Sequence, residues 1–235
     1  MGWPQITYLV LLGLSLGISM ARHGAPRTDR HNFWIALIAE SLLLGLLWVG
    51  GFFSNAHAQV PQAAQQHRAL LTRTAHAVWG MEAPVSVFAA QIHQESGWRP
   101  NAVSPVGAAG LAQFMPRTAE WIATTDPQLA NNQPFNPAWA MRAMVRYDLQ
   151  LYQAAPSRYS PRDRMWVALR SYNGGQGHWQ AEARASGVRE PSREQVDAAC
   201  GKARRAALHC QENLGYPQRI LVVLQPRYAA WGPGL

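Results

Sequence analysis

The sequence predicts an all-α protein in which a membrane hairpin precedes a helical domain. Three observations carry that reading. Two long apolar runs occupy the first quarter of the chain. Through the remainder, apolar residues recur at helical spacing, and no stretch alternates apolar and polar as a half-buried strand would. At 235 residues the chain has room for one domain and an accessory segment. Charged residues make up only 14%, against about a quarter in ordinary soluble domains. An apolar content of 48% excludes a disordered tail. Two cysteines are too few for a disulfide-scaffold miniprotein or a four-cysteine zinc site. Lys202 is the one lysine, so lysine-based nucleophiles or phosphate loops have a single candidate.

The first apolar run, Ile6 to Ala21, carries no charge, and the second, Phe33 to Phe53, is interrupted only by Glu40. Crossing a bilayer takes about 20 apolar residues, with about 17 as the low end. The second run meets that length and the first falls just short. Glu40 reads as a charge tolerated at a helix–helix contact. The loop between the runs holds Arg22, Arg27 and Arg30 against Asp29, which places it on the cytoplasmic side. A hairpin then puts everything after Phe53 outside. Ala56-His57-Ala58 offers a second reading, a signal-peptidase site with the second run as its apolar region. That run is longer than the usual ~7–15 residues of such a region, so a retained anchor is the preferred expectation. Both readings export the rest of the chain, and they divide it into a membrane segment, 1–58, and a domain, 59–235.

Gln59 to Gln66 reads as a polar linker, and His67 to Trp79 as an amphipathic helix through Leu70, Leu71, Ala75 and Val78. Pro84 suits a helix start, with Val85, Phe88, Ala89 and Ile92 as its apolar stripe and Gly97 as its stop. Ser104 to Gly110 is a Gly/Pro loop. Pro116 opens a helix through Ala119, Trp121 and Ile122. Met141 to Leu151 and Met165 to Ser171 repeat the helical pattern, Asn173-Gly174-Gly175 reads as a break, and Arg219 to Leu224 as a last short apolar helix.

Glu95 falls three residues after Ile92, on or beside the apolar stripe in the last turn of its helix. Partial desolvation and the negative end of the helix dipole both disfavour its charge and raise its pKa. A general acid working near neutral pH needs that environment. Among the other acids, Glu82 lies about four turns away, roughly 20 Å at ~1.5 Å per residue, and Glu120 sits in a surface-type turn. Two-carboxylate glycosidases need a partner roughly 5–9.5 Å away, and nothing in the sequence marks one.

The stretch Glu95-Ser96-Gly97-Trp98-Arg99-Pro100-Asn101-Ala102-Val103-Ser104-Pro105-Val106-Gly107-Ala108-Ala109-Gly110-Leu111-Ala112-Gln113-Phe114-Met115-Pro116-Arg117-Thr118-Ala119 closely resembles the signature of soluble-lytic-transglycosylase-type enzymes. These are relatives of goose-type lysozyme that cleave bacterial peptidoglycan. Tyr172-Asn173-Gly174-Gly175 is similar to the family's Tyr-Asn motif, and Tyr216, followed by Ile220 and Val223, to its late tyrosine. The resemblance spans about Ala75 to Tyr228. Ala112 departs from it, standing where many relatives have Met, and residues 180–211 look like an insertion; both put the shape of the groove in doubt. The resemblance implies a lysozyme-like helical fold, no cofactor, and Glu95 as a single acid/base cutting between MurNAc and GlcNAc. The MurNAc 6-hydroxyl then closes on C1 to give a 1,6-anhydro sugar. It implies substrate-side roles for Ser96, Gln113, Met115, Tyr172, Asn173 and Tyr216, with Tyr216 placed to hydrogen-bond the acid. The corresponding hydrolase, using water, and a wall-binding assembly component that no longer cuts remain as alternatives.

Further features fit an exported wall enzyme. Trp98, Trp121, Trp139, Trp166 and Trp179 are candidates for stacking on sugars, although most are expected in the core. Eight histidines show no metal-ligand spacing, so no metal is expected. Cys200 and Cys210 suit a local disulfide in an oxidising compartment. From residue 59 onward, 18 basic residues face 11 acidic ones. Without a nucleic-acid-binding module, that excess points to an anionic wall or membrane surface rather than to nucleic acid. Trp3-Pro4-Gln5, Ala21-Arg22-His23-Gly24 and the span from Asn32-Phe33-Trp34 to Gly50-Gly51-Phe52-Phe53 resemble small membrane proteins of tailed bacteriophages. That resemblance implies a host inner membrane or virion location, with virion partners. A bacterial envelope or secretion-associated enzyme, anchored in the inner membrane and facing the periplasm, is the competing origin.

Overall fold

A computed structural model describes residues 60–235, together with positions 10, 12, 13, 20, 38, 41, 44 and 45. Apart from those isolated positions, both expected spans lie outside the described residues, as does Ala56-His57-Ala58. Among the described residues no helix is long and apolar enough to cross a membrane. The chain divides into two units, Met1–Gln59 and Val60–Leu235.

The second unit is built from helices and the loops that join them. Its helices are α1 (Gln62–Gln65), α2 (Arg68–Trp79), α3 (Val85–Ser96), α4 (Pro116–Ala123), α5 (Pro137–Ala154), α6 (Pro161–Gly174), α7 (Gln176–Ala185), α8 (Arg193–Asp197) and α9 (Cys210–Gln218). Arg219–Leu224 continues α9 as a π-helical turn, and Gln225–Trp231 follows as a 3-10 helix. Prolines open α4, α5 and α6, where a missing N–H costs nothing. Asn136 and Ser160 cap the second and third of these by accepting backbone N–H groups. The only β features described are isolated bridges, Val103 with Ala109 and Ala109 with Phe114, which pin the loop after α3.

Helix α3 is the centre of the fold. Instead of the single stripe the spacing suggests, every residue from Val85 to Ile92 is buried, Ser86 and Gln91 included. A helix covered all round is a core helix. Here α2, the π turn and the 3-10 helix all pack on it. The C-terminal segment also completes its first turn. Pro233 O accepts from both Ser86 N (3.1 Å) and Ser86 Oγ (2.9 Å), so a main-chain carbonyl does the work of a side-chain cap. Gly97 ends the helix in the left-handed region at φ 59°. Helix α5 packs against both α2 and α6.

Two expectations need correction. The supposed linker 59–66 contains α1, because Ala64 is small and apolar enough to be fully buried. Helix α6 runs through Asn173 to Gly174, so Tyr172 and Asn173 lie in a helical last turn and the break comes at Gly175. Residues 180–211 are structured, with α7, α8 and a 3-10 turn at Ala207–His209. Cys200 and Cys210 are joined as a disulfide.

That segment is organised by charge. Arg170 on α6 is fully buried. Its guanidinium donates to Glu182 Oε2 (2.6 Å), Asp197 Oδ1 (2.7 Å) and Asn213 Oδ1 (3.0 Å). Arg205 donates to the other oxygen of Glu182 at 2.8 Å. Gly174 is required beside this network, because a Cβ there would collide with the Arg205 guanidinium and the Asn213 amide.

Candidate active site

A cavity of about 370 Å³ opens where α3, α6 and α9 converge. Its wall includes Gln94 and Glu95 from the end of α3, Asn173 from the end of α6, Glu212 and Tyr216 from α9, and Arg219 from the π turn. The two α9 residues are four apart and so share a face. Glu95 is partly exposed on the cavity side and closely surrounded by protein elsewhere. That desolvation pushes its carboxyl pKa up to about 7, and a hydrogen bond from Tyr216 partly opposes the rise. The Tyr216 hydroxyl donates to Glu95 Oε1. Among the described residues no cation pairs with Glu95 within salt-bridge distance. A carboxyl with a pKa near neutrality can donate a proton and take one back within a single cycle.

Of the residues singled out from the sequence, the structure brings Glu95, Asn173 and Tyr216 to one cavity wall. Asn173 is oriented by Asn213, whose Nδ2 donates to its Oδ1 at 3.0 Å. The other four do not line that cavity. Ser96 is buried and donates back to Ile92 O (3.2 Å). Gln113 adopts φ 49°, a left-handed backbone, and its Nε2 donates to Gly110 O (2.8 Å) and Ala102 O (3.2 Å). Its amide therefore braces the loop that carries it. The Tyr172 hydroxyl donates to Ala112 O (2.7 Å), tying α6 to the same loop, and its ring packs against Phe114 and Tyr147. Met115 is 43% exposed at the start of α4. Of the five tryptophans considered for stacking, Trp121 is open to solvent at 41%, Trp98, Trp139 and Trp179 are buried, and Trp166 lies under the Arg193 guanidinium.

Sequence reasoning missed three residues. Glu212 and Arg219 reach the cavity, and the spacing Glu212–Tyr216 was the available signal. Asp148 on α5 is fully buried behind Glu95, and burial raises its pKa well above the ordinary carboxylate value. Its signal was positional. Met141, Met144, Val145, Asp148 and Leu151 form one helical stripe, so the acid stands where only apolar residues are expected.

Comparison with known proteins agrees with the motifs. The family described as Transglycosylase SLT domain matches residues 75–193. Membrane-bound lytic murein transglycosylase F of Ectopseudomonas mendocina (strain ymp) is 30% identical over 131 residues, covering 56% of this chain and 24% of that protein. The protein of the same name from Marinobacter nauticus is 36% identical over 109 residues, covering 46% and 20%. The chain thus spans about a quarter or less of the length of these curated relatives. The 70 kDa soluble lytic transglycosylase of Escherichia coli superposes with a TM-score of 0.47 at 18% identity, over 89% of this chain and 38% of that one. The family match covers Glu95, the loop that follows it and the Tyr-Asn pair, and on that match the chain belongs to the Transglycosylase SLT domain family.

Proposed function

We propose that this chain is a peptidoglycan lytic transglycosylase with Glu95 as its single acid/base, held exported by residues 1–58. The observation that carries the proposal is the state of Glu95: desolvated, without a cation, hydrogen-bonded by Tyr216 and open to a cavity. Protonated Glu95 gives its proton to the glycosidic oxygen between MurNAc and GlcNAc as the C1–O bond breaks. The resulting carboxylate takes the proton of the MurNAc 6-hydroxyl, whose oxygen bonds to C1. The product is a 1,6-anhydro sugar and no water is consumed. The Tyr216 hydrogen bond stabilises the carboxylate half of this cycle, and Asn173 is positioned to orient sugar hydroxyl or acetamido groups. The substrate is the wall glycan, the membrane is engaged through residues 1–58, and the setting is the periplasmic face of an inner membrane, bacterial or phage-infected. Wall opening or lysis follows from that location.

Glu212 supports a second reading. It lines the same cavity, and hydrolysis with inversion uses a second carboxylate to activate water across the scissile bond. Mass spectrometry of digested wall separates the two. Anhydro-MurNAc ends are expected; reducing MurNAc ends in their place would establish the hydrolase.

A further inference from the structure

Asp148 lies beneath the site and takes no part in the mechanism above. Gln91 Nε2 donates to its Oδ1 at 3.3 Å. Two buried atoms of the same pair, Gln91 Oε1 and Asp148 Oδ2, have no partner. Both are acceptors, so an ionised aspartate has no hydrogen with which to satisfy either of them. Of the charged groups on the surrounding elements, Glu95 on α3 acts on Asp148, and Asp148 in turn acts on Tyr172 of α6, Tyr216 of α9 and its own neighbour Tyr147 of α5. None of the four is a cation, and among the described residues no arginine or histidine, those of α2 included, lies within salt-bridge distance of Asp148. A charge buried without a cation is among the costliest arrangements a fold can hold.

One proton resolves all of this. We infer that Asp148 is a carboxylic acid in the working protein, joined to Gln91 as a two-bond acid–amide pair that positions Glu95. In the pair, Gln91 Nε2–H donates to Asp148 Oδ1 and Asp148 Oδ2–H donates to Gln91 Oε1, so every buried polar atom is used. The pair ties α5 to α3 at Gln91, one helical turn or about 6 Å below Glu95. It fixes the turn that carries the acid and leaves the site's floor uncharged. Glu95 is then the one group of the two whose charge changes within the working pH range. Asp148 is a positioning residue: it reaches substrate only through Glu95. The effect on activity rests on the proposed function, whereas the proton on Asp148 does not.

The test uses the full chain and its variants. Infrared difference spectra between E95Q and E95Q/D148N at neutral pH are expected to show a protonated carboxyl band that the second protein lacks. Absence of that band overturns the inference whether or not the chain cuts wall. The side-chain amide introduced by D148N can form the same two bonds as the protonated acid. D148N is therefore expected to keep most of the turnover and to leave the alkaline limb of the activity profile in place. A limb displaced toward lower pH would mean that a negative charge beside Glu95 had been removed, and would overturn it. So would a folded D148N as inactive as E95Q, which would make Asp148 an ionised catalytic group. D148L fills similar space but strands Gln91. It is expected to lose about tenfold or more in kcat on glycan strands with little change in KM, together with several degrees of thermal stability. D148L with unchanged kcat would refute the positioning role.

Discussion

Two carboxylates in this domain, Glu95 and Glu182, are treated in opposite ways by their surroundings. Glu182 is fully buried and each of its oxygens accepts from a different arginine, Arg170 and Arg205. Glu95 is the more exposed of the two, yet its one polar partner among the described residues is the neutral hydroxyl of Tyr216. The first arrangement holds helices together with charges that are fully compensated. The second leaves a charge uncompensated and lets the proton come and go. Pairing with cations therefore separates Glu182, which organises the fold, from Glu95, which is suited to chemistry.

Removing the uncompensated acid tests that separation most severely. E95Q is expected to lower wall cleavage by about 10³-fold with helix content unchanged by circular dichroism. Stability should move the other way. Folding raises the Glu95 pKa from its ordinary value to about 7, so the folded state binds the extra proton between those values. Wild-type stability therefore falls as pH rises through that window and stays lower above it. E95Q lacks this penalty and should be more stable than wild type at pH 8, by up to roughly 3 kcal/mol, with no difference at pH 4. Equal melting at both pH values would mean that Glu95 is well solvated.

The paired acid makes the reverse prediction. R170M leaves Glu182 with one arginine and Asp197 and Asn213 without their shared donor. The expected cost is about 3–5 kcal/mol, a fall of roughly 10 °C in Tm by calorimetry. A variant of unchanged Tm that no longer cleaves wall would erase the distinction between the two regions. Y216F is the finer probe. Its hydroxyl holds the Glu95 pKa down, so losing it should move the alkaline limb of the activity profile to higher pH and lower kcat about tenfold. A limb moving to lower pH would contradict the hydrogen bond.

How much of this was legible depended on the sequence distance over which each feature is set. The helix ending at Gly97, the proline starts at Pro116 and the loop motif are local, and each could be read in place. The convergence of Glu95, Asn173 and Tyr216 could be anticipated only through family motifs, because 121 residues separate Tyr216 from the acid it touches. The all-round burial of α3 could not be read, since Ser86 and Gln91 look like the polar face of a surface helix until Pro233 and Asp148 are found against them. The charge network was equally hidden. Arg170, Glu182, Arg205 and Asn213 each look like solvated surface residues, and only their meeting in space removes them from water. Asp148 was the exception, a misfit in an apolar stripe that could have been noticed.

The π turn after Tyr216 makes the closing helix sensitive to residue count. A π turn accommodates an extra residue within an otherwise α-helical path, and each residue of an α-helix advances the chain by about 100°. Between Tyr216, on Glu95, and Tyr228, whose hydroxyl accepts from Trp98 Nε1 and meets His93 Nδ1, the number of residues works as a ruler. Deleting one residue from Arg219–Leu224 would turn the downstream chain by about that angle and bring Tyr228 around to the wrong side of α3. Exposed positions here, such as Val222 and Val223, are free to change in kind. The stretch is not free to change in length, so natural variation in this region should consist of replacements, with gaps displaced to either side.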